Sequence, residues 1–286
     1  MNQKIDPKTG RDVIIEKNCL FQGIKGKEGN ITLGDYSILK NNCRFYITKK
    51  FEMGDYSILQ NNVLVQCYKN CKIGHNAWIG QNSIINATDD LEIGNNFGIG
   101  VDSKIWTHAF HGELLLGCRI AVGIPDYESK SGAIKIGDDF WGIGQITISP
   151  GVKIGDKVIA LTNSLITKDI PDNCIVAGIP AKRISINGDF HGYKDLTEKE
   201  KYDFMKNTAK KFSEINNVKI SFDDSLKKII LGEKEVIIIC NSSEFEKDSD
   251  GSFFDIIKRT YTKKHNYLEK EFIKFTIGYR ARFIPI

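Results

Sequence analysis

Residues 33–105 repeat themselves every twenty positions, and few architectures accommodate so short and strict a period. Leu33-Gly-Asp-Tyr-Ser-Ile-Leu-Lys-Asn-Asn returns as Met53-Gly-Asp-Tyr-Ser-Ile-Leu-Gln-Asn-Asn, as Ile73-Gly-His-Asn-Ala-Trp-Ile-Gly-Gln-Asn, and as Ile93-Gly-Asn-Asn-Phe-Gly-Ile-Gly-Val-Asp. Within a copy an aliphatic residue recurs every six: Ile73, Ile79 and Ile85, then Leu91-Glu before Ile93, Ile99 and Ile105. Three hexads plus a two-residue corner make one coil. Helices repeat near 3.6 and half-buried strands near two, so neither explains a period of six. Fixed-period self-similarity marks a solenoid, in which each unit buries its apolar edge only against its neighbours. Gly34, Gly54, Gly74 and Gly94 are expected where the backbone turns with little side-chain bulk.

The regular coils span 33–110, preceded by an irregular first coil or cap. Between 112 and 132 the hexads vanish, and so long an interruption in a tight array reads as a loop excursion with a functional role. The register resumes at Ile136-Gly-Asp-Asp-Phe-Trp and Ile154-Gly-Asp-Lys-Val-Ile, now spaced by eighteen. The prism is therefore assigned to 1–187. Residues 188–286 change character: Thr197 and Glu200 form a capping box, and Tyr202, Met205, Ala209 and Phe212 follow at helical spacing. A hairpin around Gly232, a strand at Ser252-Phe-Phe-Asp-Ile-Ile and a last helix through Leu268, Phe272 and Phe275 complete a small α/β domain. The fold class is mainly β.

A net charge of +4 is too slight to imply nucleic acid, and no stretch approaches the roughly 18 apolar residues of a membrane span. Met1-Asn-Gln-Lys-Ile-Asp-Pro-Lys has no apolar core of the kind a signal peptide needs. Seven cysteines without CxxC spacing suit idle thiols in a reducing compartment, so a cytoplasmic protein is expected.

The hexads, the Trp141 segment and the closing Thr167-Lys-Asp-Ile-Pro-Asp-Asn and Gly178-Ile-Pro-Ala-Lys strings together resemble the hexapeptide-repeat acetyltransferases, over roughly residues 30–185. That resemblance implies a left-handed parallel β-helix, a homotrimer, and acetyl-coenzyme A as donor in a groove between prisms. It further implies O-acetylation of a carbohydrate acceptor on a surface glycan. Family members place a catalytic histidine just before the excursion. Here Ile105-Trp-Thr-His-Ala-Phe-His-Gly offers His108 and His111. Imidazole titrates near neutrality, so it can take the proton from a sugar hydroxyl as oxygen attacks the thioester. His108 follows directly on the coil, where a rigid strand can hold it, whereas His111 starts the loop; His111 stands as the second candidate. Trp141, and behind it Trp106, are the residues placed to meet the acceptor, with a corner packing role for Trp141 as the bland alternative. Lys168, Lys182 and Arg183 would meet the phosphates of coenzyme A. Asn163 falls among the cofactor contacts too, ending a Leu161-Thr-Asn segment where relatives often carry Gly-Ala-Gly.

Rival readings are an N-acetyltransferase acting on a nucleotide-linked amino sugar, a non-catalytic scaffold, and a zinc hydratase of the same fold. The last would use His75, His108 and His111 as ligands. The preferred reading has no metal.

Overall fold

The computed structural model describes residues 2–24, 29–108, 132–240, 251–278 and 281–286. They form two compact units, Met1–Tyr193 and Lys194–Ile286. The first unit continues beyond the boundary at 187 read from the sequence because residues 186–193 fold back onto its last coil. Ile175 N–H donates to Phe190 O, Asn173 and Tyr193 bond reciprocally, and the Tyr193 hydroxyl donates to Asp139 O.

The first unit is a three-sided parallel β-helix. The parallel strands of sheet one begin at Lys8–Thr9, of sheet two at Ile14–Ile15 and of sheet three at Leu20–Ile24, whose outer edge is covered by the antiparallel Asn2–Lys4, and the chain visits the sheets in that order on every coil. Register makes the sequence period visible as geometry. Val65 pairs with Phe45 and Ile85, Ile73 with Met53 and Ile93, and Ile79 with Leu59 and Ile99. The interruption is absorbed without loss of register: Leu91 pairs with Ile134 and Ile93 with Ile136. Lys8-Thr9, Ile14-Ile15 and Leu20-Phe-Gln form a full first coil paired with the second, so residues 8–22 are a regular coil, while Asn2–Lys4 lies antiparallel on Leu20–Ile24. The coil's pairs are offset by 24 residues rather than 20, which hid the register.

Within strands burial alternates. Ile31, Leu33, Phe45, Ile47, Phe51 and Met53 are almost wholly buried and form one continuous core with Ile73, Ile79, Ile85, Phe97 and Phe140. Two pairs of inward rings stack between coils, Phe21 on Phe45 at 5.0 Å and Phe97 on Phe140 at 5.5 Å. Burying an aliphatic or aromatic side chain in this way contributes about 1.5–3 kcal/mol.

The glycines serve a purpose other than turning. The left-handed backbone at the first vertex belongs to Tyr36, Tyr56, Asn76 and Asn96, with φ of 59°, 54°, 59° and 57°. Asn tolerates that region best among non-glycine residues. Gly54 and Gly74 are needed because the next coil presses against them: a Cβ on Gly54 would lie 2.7 Å from the Gly74 carbonyl carbon. The residue after each glycine then caps the coil before it. Asp35, Asp55, His75, Asn95, Asp138 and Asp156 each accept the backbone N–H of the equivalent residue one coil earlier, at 2.6–3.0 Å. Asn42, Asn62 and Asn82 run a parallel side-chain ladder down the second vertex.

The three outer faces differ chemically. Sheet two presents one row, Ile14, Ile38, Ile58, Trp78, Gly98, Trp141 and Ile159, apolar throughout. Sheet one carries the charged row Glu52, Lys72, Glu92, Lys135 and Lys153. Sheet three, along its edge nearest the third vertex, carries Gln22, Tyr46, Gln66, Asn86 and Trp106.

In the second unit the capping box at Thr197 and Glu200 opens a helix over Glu198–Asn216, closed by Asn217 in the left-handed region. Its buried face is Tyr202, Met205, Thr208, Ala209 and Phe212. A second helix covers Tyr267–Thr276. The Lys228–Leu231 and Ile237–Cys240 strands pair as the hairpin around Gly232 requires, within a six-stranded mixed sheet. Phe212, Phe254 and Phe272 meet edge-on at its centre, with centroids 5.2 Å apart for both Phe212–Phe272 and Phe254–Phe272.

Candidate functional site

The last regular strand before the interruption, Lys104–Trp106, alternates Lys104 out, Ile105 in, Trp106 out. Thr107 then turns the third vertex and is wholly buried. Its hydroxyl donates to Asn86 O at 3.1 Å and accepts the Asp89 N–H at 2.8 Å, while its carbonyl accepts the N–H of Gly132 at 2.8 Å. Both ends of the interruption are thereby pinned to one buried residue. His108 follows at that point.

The His108 ring is half-buried, set edge-on to Trp106 with centroids 6.2 Å apart. Its Nδ1 lies 3.0 Å from Asn86 Oδ1. The Asn86 amide orientation is fixed independently, because the same oxygen accepts the Thr88 backbone N–H at 3.2 Å and the Thr88 hydroxyl at 2.9 Å. A backbone N–H can only donate, so the atom facing it must be oxygen. The other end of the amide, Nδ2, donates to Gln66 Oε1 at 3.2 Å. An oxygen facing Nδ1 requires Nδ1 to carry the proton. In the neutral ring Nε2 then holds the lone pair, the form a general base needs.

Asn86 is the group that fixes the tautomer, and sequence reasoning did not single it out. The signal was coil arithmetic: Asn86 stands twenty residues before Trp106 and pairs with it across the sheet. His111 lies outside the described residues, as does nearly all of the 112–132 excursion.

Trp141 sits on sheet two, not near His108. Its indole lies over Gly98, where an added Cβ would come 2.1 Å from the ring, and stacks with Trp78 at 6.5 Å. It remains 36% exposed, so the ring both packs on the sheet and presents a face to solvent. Lys182 and Arg183 are exposed on Ala181–Ile184, the antiparallel strand that ends the same sheet, and the Arg183 guanidinium rests 5.3 Å over the Phe190 ring. Asn163 takes the left-handed corner between sheets two and three, with φ 63°. Lys168 is exposed at the third vertex, just past Leu165–Ile166. One prism thus gathers Trp106, His108 and Asn86 at one edge and Trp141, Lys182 and Arg183 on another face.

His75 is at the first vertex, where its Nδ1 accepts the Asp55 N–H at 3.0 Å. It is a rung of the capping ladder and does not converge with His108. Among the described residues no cluster of three or more His, Cys, Asp or Glu side chains is arranged to hold a metal. A second imidazole, His191, meets Asp189 at 2.8 Å, but both side chains are largely exposed and the pair closes a local turn.

The described residues thus form a parallel β-helix in which an imidazole with a protonated Nδ1 stands where the hexads are interrupted. No family model matches the chain. Galactoside O-acetyltransferase of Escherichia coli (strain K12) is 33% identical over 79 residues, covering 28% of this chain and 34% of that protein. Chloramphenicol acetyltransferase of Morganella morganii is 41% identical over 59 residues, covering 21% of this chain and 28% of that protein. A hexapeptide-repeat-containing acetyltransferase from Vibrio cholerae O1 biovar eltor, solved with acetyl coenzyme A, is 23% identical with a TM-score of 0.36, covering 55% of this chain and 71% of that one. The chain spans about a third of the length of the curated relatives it matches. It is similar in sequence to acetyltransferases, as its hexads suggested.

Proposed function

We propose that the chain is an acetyl-coenzyme A-dependent O-acetyltransferase acting on a sugar hydroxyl of a surface glycan, with His108 as general base. The observation that carries this reading is the Asn86 oxygen on His108 Nδ1. Nε2 takes the hydroxyl proton as the sugar oxygen attacks the thioester carbon. The tetrahedral oxyanion collapses, the C–S bond breaks, and the imidazolium returns the proton to the departing thiolate. Backbone N–H groups steady the oxyanion. Similarity to acetyltransferases over a quarter of the chain supports acetyl transfer as the reaction type.

His108 and Trp141 lie on different sides of one prism, so a site using both needs two chains. The apolar row of sheet two supports a homotrimer in which that face of one prism meets the third vertex of the next. Trp141, with Trp106, would then border the acceptor, and Lys168, Lys182, Arg183 and Asn163 would receive coenzyme A, its phosphates meeting the cations. A cytoplasmic setting is part of the proposal, supported by six described cysteines that are all free thiols.

His108→Ala should lower turnover by about 10²–10⁴, the usual worth of general-base help, with thioester affinity retained. Thiol release from acetyl-coenzyme A is read against hexoses, amino sugars and sialic acids. Full turnover in that variant ends the mechanism; faster transfer to amines than to hydroxyls moves the reaction to N-acetylation. Ile58→Glu on sheet two should convert a trimer into monomers by light scattering, and an unchanged mass would refute the proposed interface.

A further inference from the structure

The row that holds the base continues away from it. Across sheet three, Trp106 pairs with Asn86, Asn86 with Gln66, Gln66 with Tyr46 and Tyr46 with Gln22. Around the last three of these is a cavity of about 190 Å³, walled further by Thr48 and Tyr68. It is joined to the base through a single chain of hydrogen bonds: Gln66 Oε1 accepts from Asn86 Nδ2, and Asn86 Oδ1 holds His108.

The chemistry of the cavity is specific. Its eight lining residues among those described carry two primary amides, one hydroxyl and two phenols, and none of these eight carries a charge. Tyr68 is 46% exposed, so an aromatic surface faces solvent at the rim. Amides bond hydroxyl pairs, and aromatic rings cover the C–H faces of pyranoses while their polar ends stay wet. A phosphate or carboxylate ligand would call for cations in the wall, as nucleotide and anion sites do. From Gln66 to Trp106 is two rungs, about 9–10 Å at the usual strand spacing. One sugar ring cannot fill both the cavity and the position beside His108.

We propose that this cavity is an acceptor subsite for a neutral sugar residue removed from the ring being acetylated, so that the acceptor is an oligosaccharide or polymer chain lying along sheet three. The proposal rests on the acetyl-transfer reading and goes beyond it by excluding a nucleotide-linked monosaccharide as the acceptor.

The experiment uses the full chain without acetyl-coenzyme A and follows binding by saturation-transfer NMR and calorimetry. The probes are glucose, galactose and N-acetylglucosamine, their neutral tetrasaccharides, and UDP-N-acetylglucosamine. At least one tetrasaccharide should bind about tenfold more tightly than its monosaccharide, Tyr68→Ala should remove that gain, and Tyr68→Phe should keep it. Thermal melts of each variant control for folding. If no tetrasaccharide exceeds its monosaccharide, if Tyr68→Ala keeps the gain, or if the nucleotide sugar binds best, the subsite is refuted. Tetrasaccharide binding that depends on Tyr68, with no acetyl transfer to any probe once acetyl-coenzyme A is added in a second step, would instead overturn the proposed reaction and leave the subsite standing.

Discussion

Asn86→Leu separates the role of the held tautomer from that of the imidazole itself. Leucine keeps much of the side-chain volume and removes both ends of the amide. Three donors then lose an acceptor, namely His108 Nδ1, the Thr88 N–H and the Thr88 hydroxyl, and Gln66 loses a donor. His108, Thr88 and Gln66 are only half-buried, so water can replace part of what is lost. At a net 0.5–1.5 kcal/mol per bond the four sum to about 2–6 kcal/mol, and partial replacement by water brings the expected loss of stability to about half of that. Activity should respond to one bond alone. Losing the preference for a protonated Nδ1 by about 0.5–1.5 kcal/mol lowers the ratio of the two tautomers by about two- to tenfold, and the base-competent fraction by at most that factor. Turnover should fall by no more than that, well short of the effect of His108→Ala, with KM for acetyl-coenzyme A unchanged. Steady-state thiol release at saturating donor measures it, and a melt places the stability change beside it. If Asn86→Leu leaves turnover intact while His108→Ala abolishes it, the tautomer is set by something other than this amide.

Three further outcomes follow from the same structure. His75→Ala should destabilise the prism by about 1 kcal/mol by removing the acceptor for the Asp55 N–H, and His75→Asn should restore it, as Asn95 does one coil on; equal melts for the two variants contradict the capping ladder. Gly98→Val should cost about 1–3 kcal/mol, because its Cβ enters the space of the Trp141 ring, and should shift tryptophan emission to the red as the indole lifts off the sheet; unaltered emission with a normal melt rules this out. The third concerns pH. The Thr197 backbone N–H, with its hydroxyl and Lys194, holds the Glu200 carboxyl down at about 2 against an ordinary 4.5. A lowered folded value stabilises above the ordinary value and is lost as pH falls through the folded one. The Glu198–Asn216 helix should therefore weaken between about pH 4.5 and 2, and less steeply in Glu200→Gln, whose amide can close the same box without titrating; identical acid slopes by circular dichroism would show that the cap carries none of the effect.

The prism was legible because its contacts repeat the sequence at a fixed offset. Ile73, Ile79 and Ile85 each meet a residue twenty positions away, so a local period encodes a long-range pairing. What the period concealed was division of labour inside the corner. Glycine invites a conformational explanation, yet Gly54 and Gly74 are short because a neighbouring coil touches them, and Asn76 does the turning. The first coil escaped because four extra residues displace it from the twenty-residue count. In the second unit, helices and the Gly232 hairpin follow from caps and local spacing. The strands Thr260–Tyr261 and Ile284–Pro285 are two residues each and pair across a helix, and nothing local marks them.

The candidate site was half visible for a related reason. His108 stands out by residue type and by its place at the end of a regular run. Asn86 does not, since an asparagine in a solenoid full of corner asparagines draws no notice. Only its row distinguishes it: on the strand Ile84–Ala87 it points outward from the sheet, where corner asparagines point along a vertex. Its neighbours in that row are Gln66 and Trp106, with Tyr46 beyond, whereas sheet two shows aliphatic and indole side chains and sheet one shows charges of both signs. Three faces built on one repeat have thus diverged in their outward residues while their inward ones stayed apolar. A solenoid used only as a spacer has no need of such divergence, since one polar surface would serve all three sides. Separate apolar, charged and amide-aromatic faces are what a prism needs if it must pack on a copy of itself, stay in water, and hold a chain of sugars beside a base.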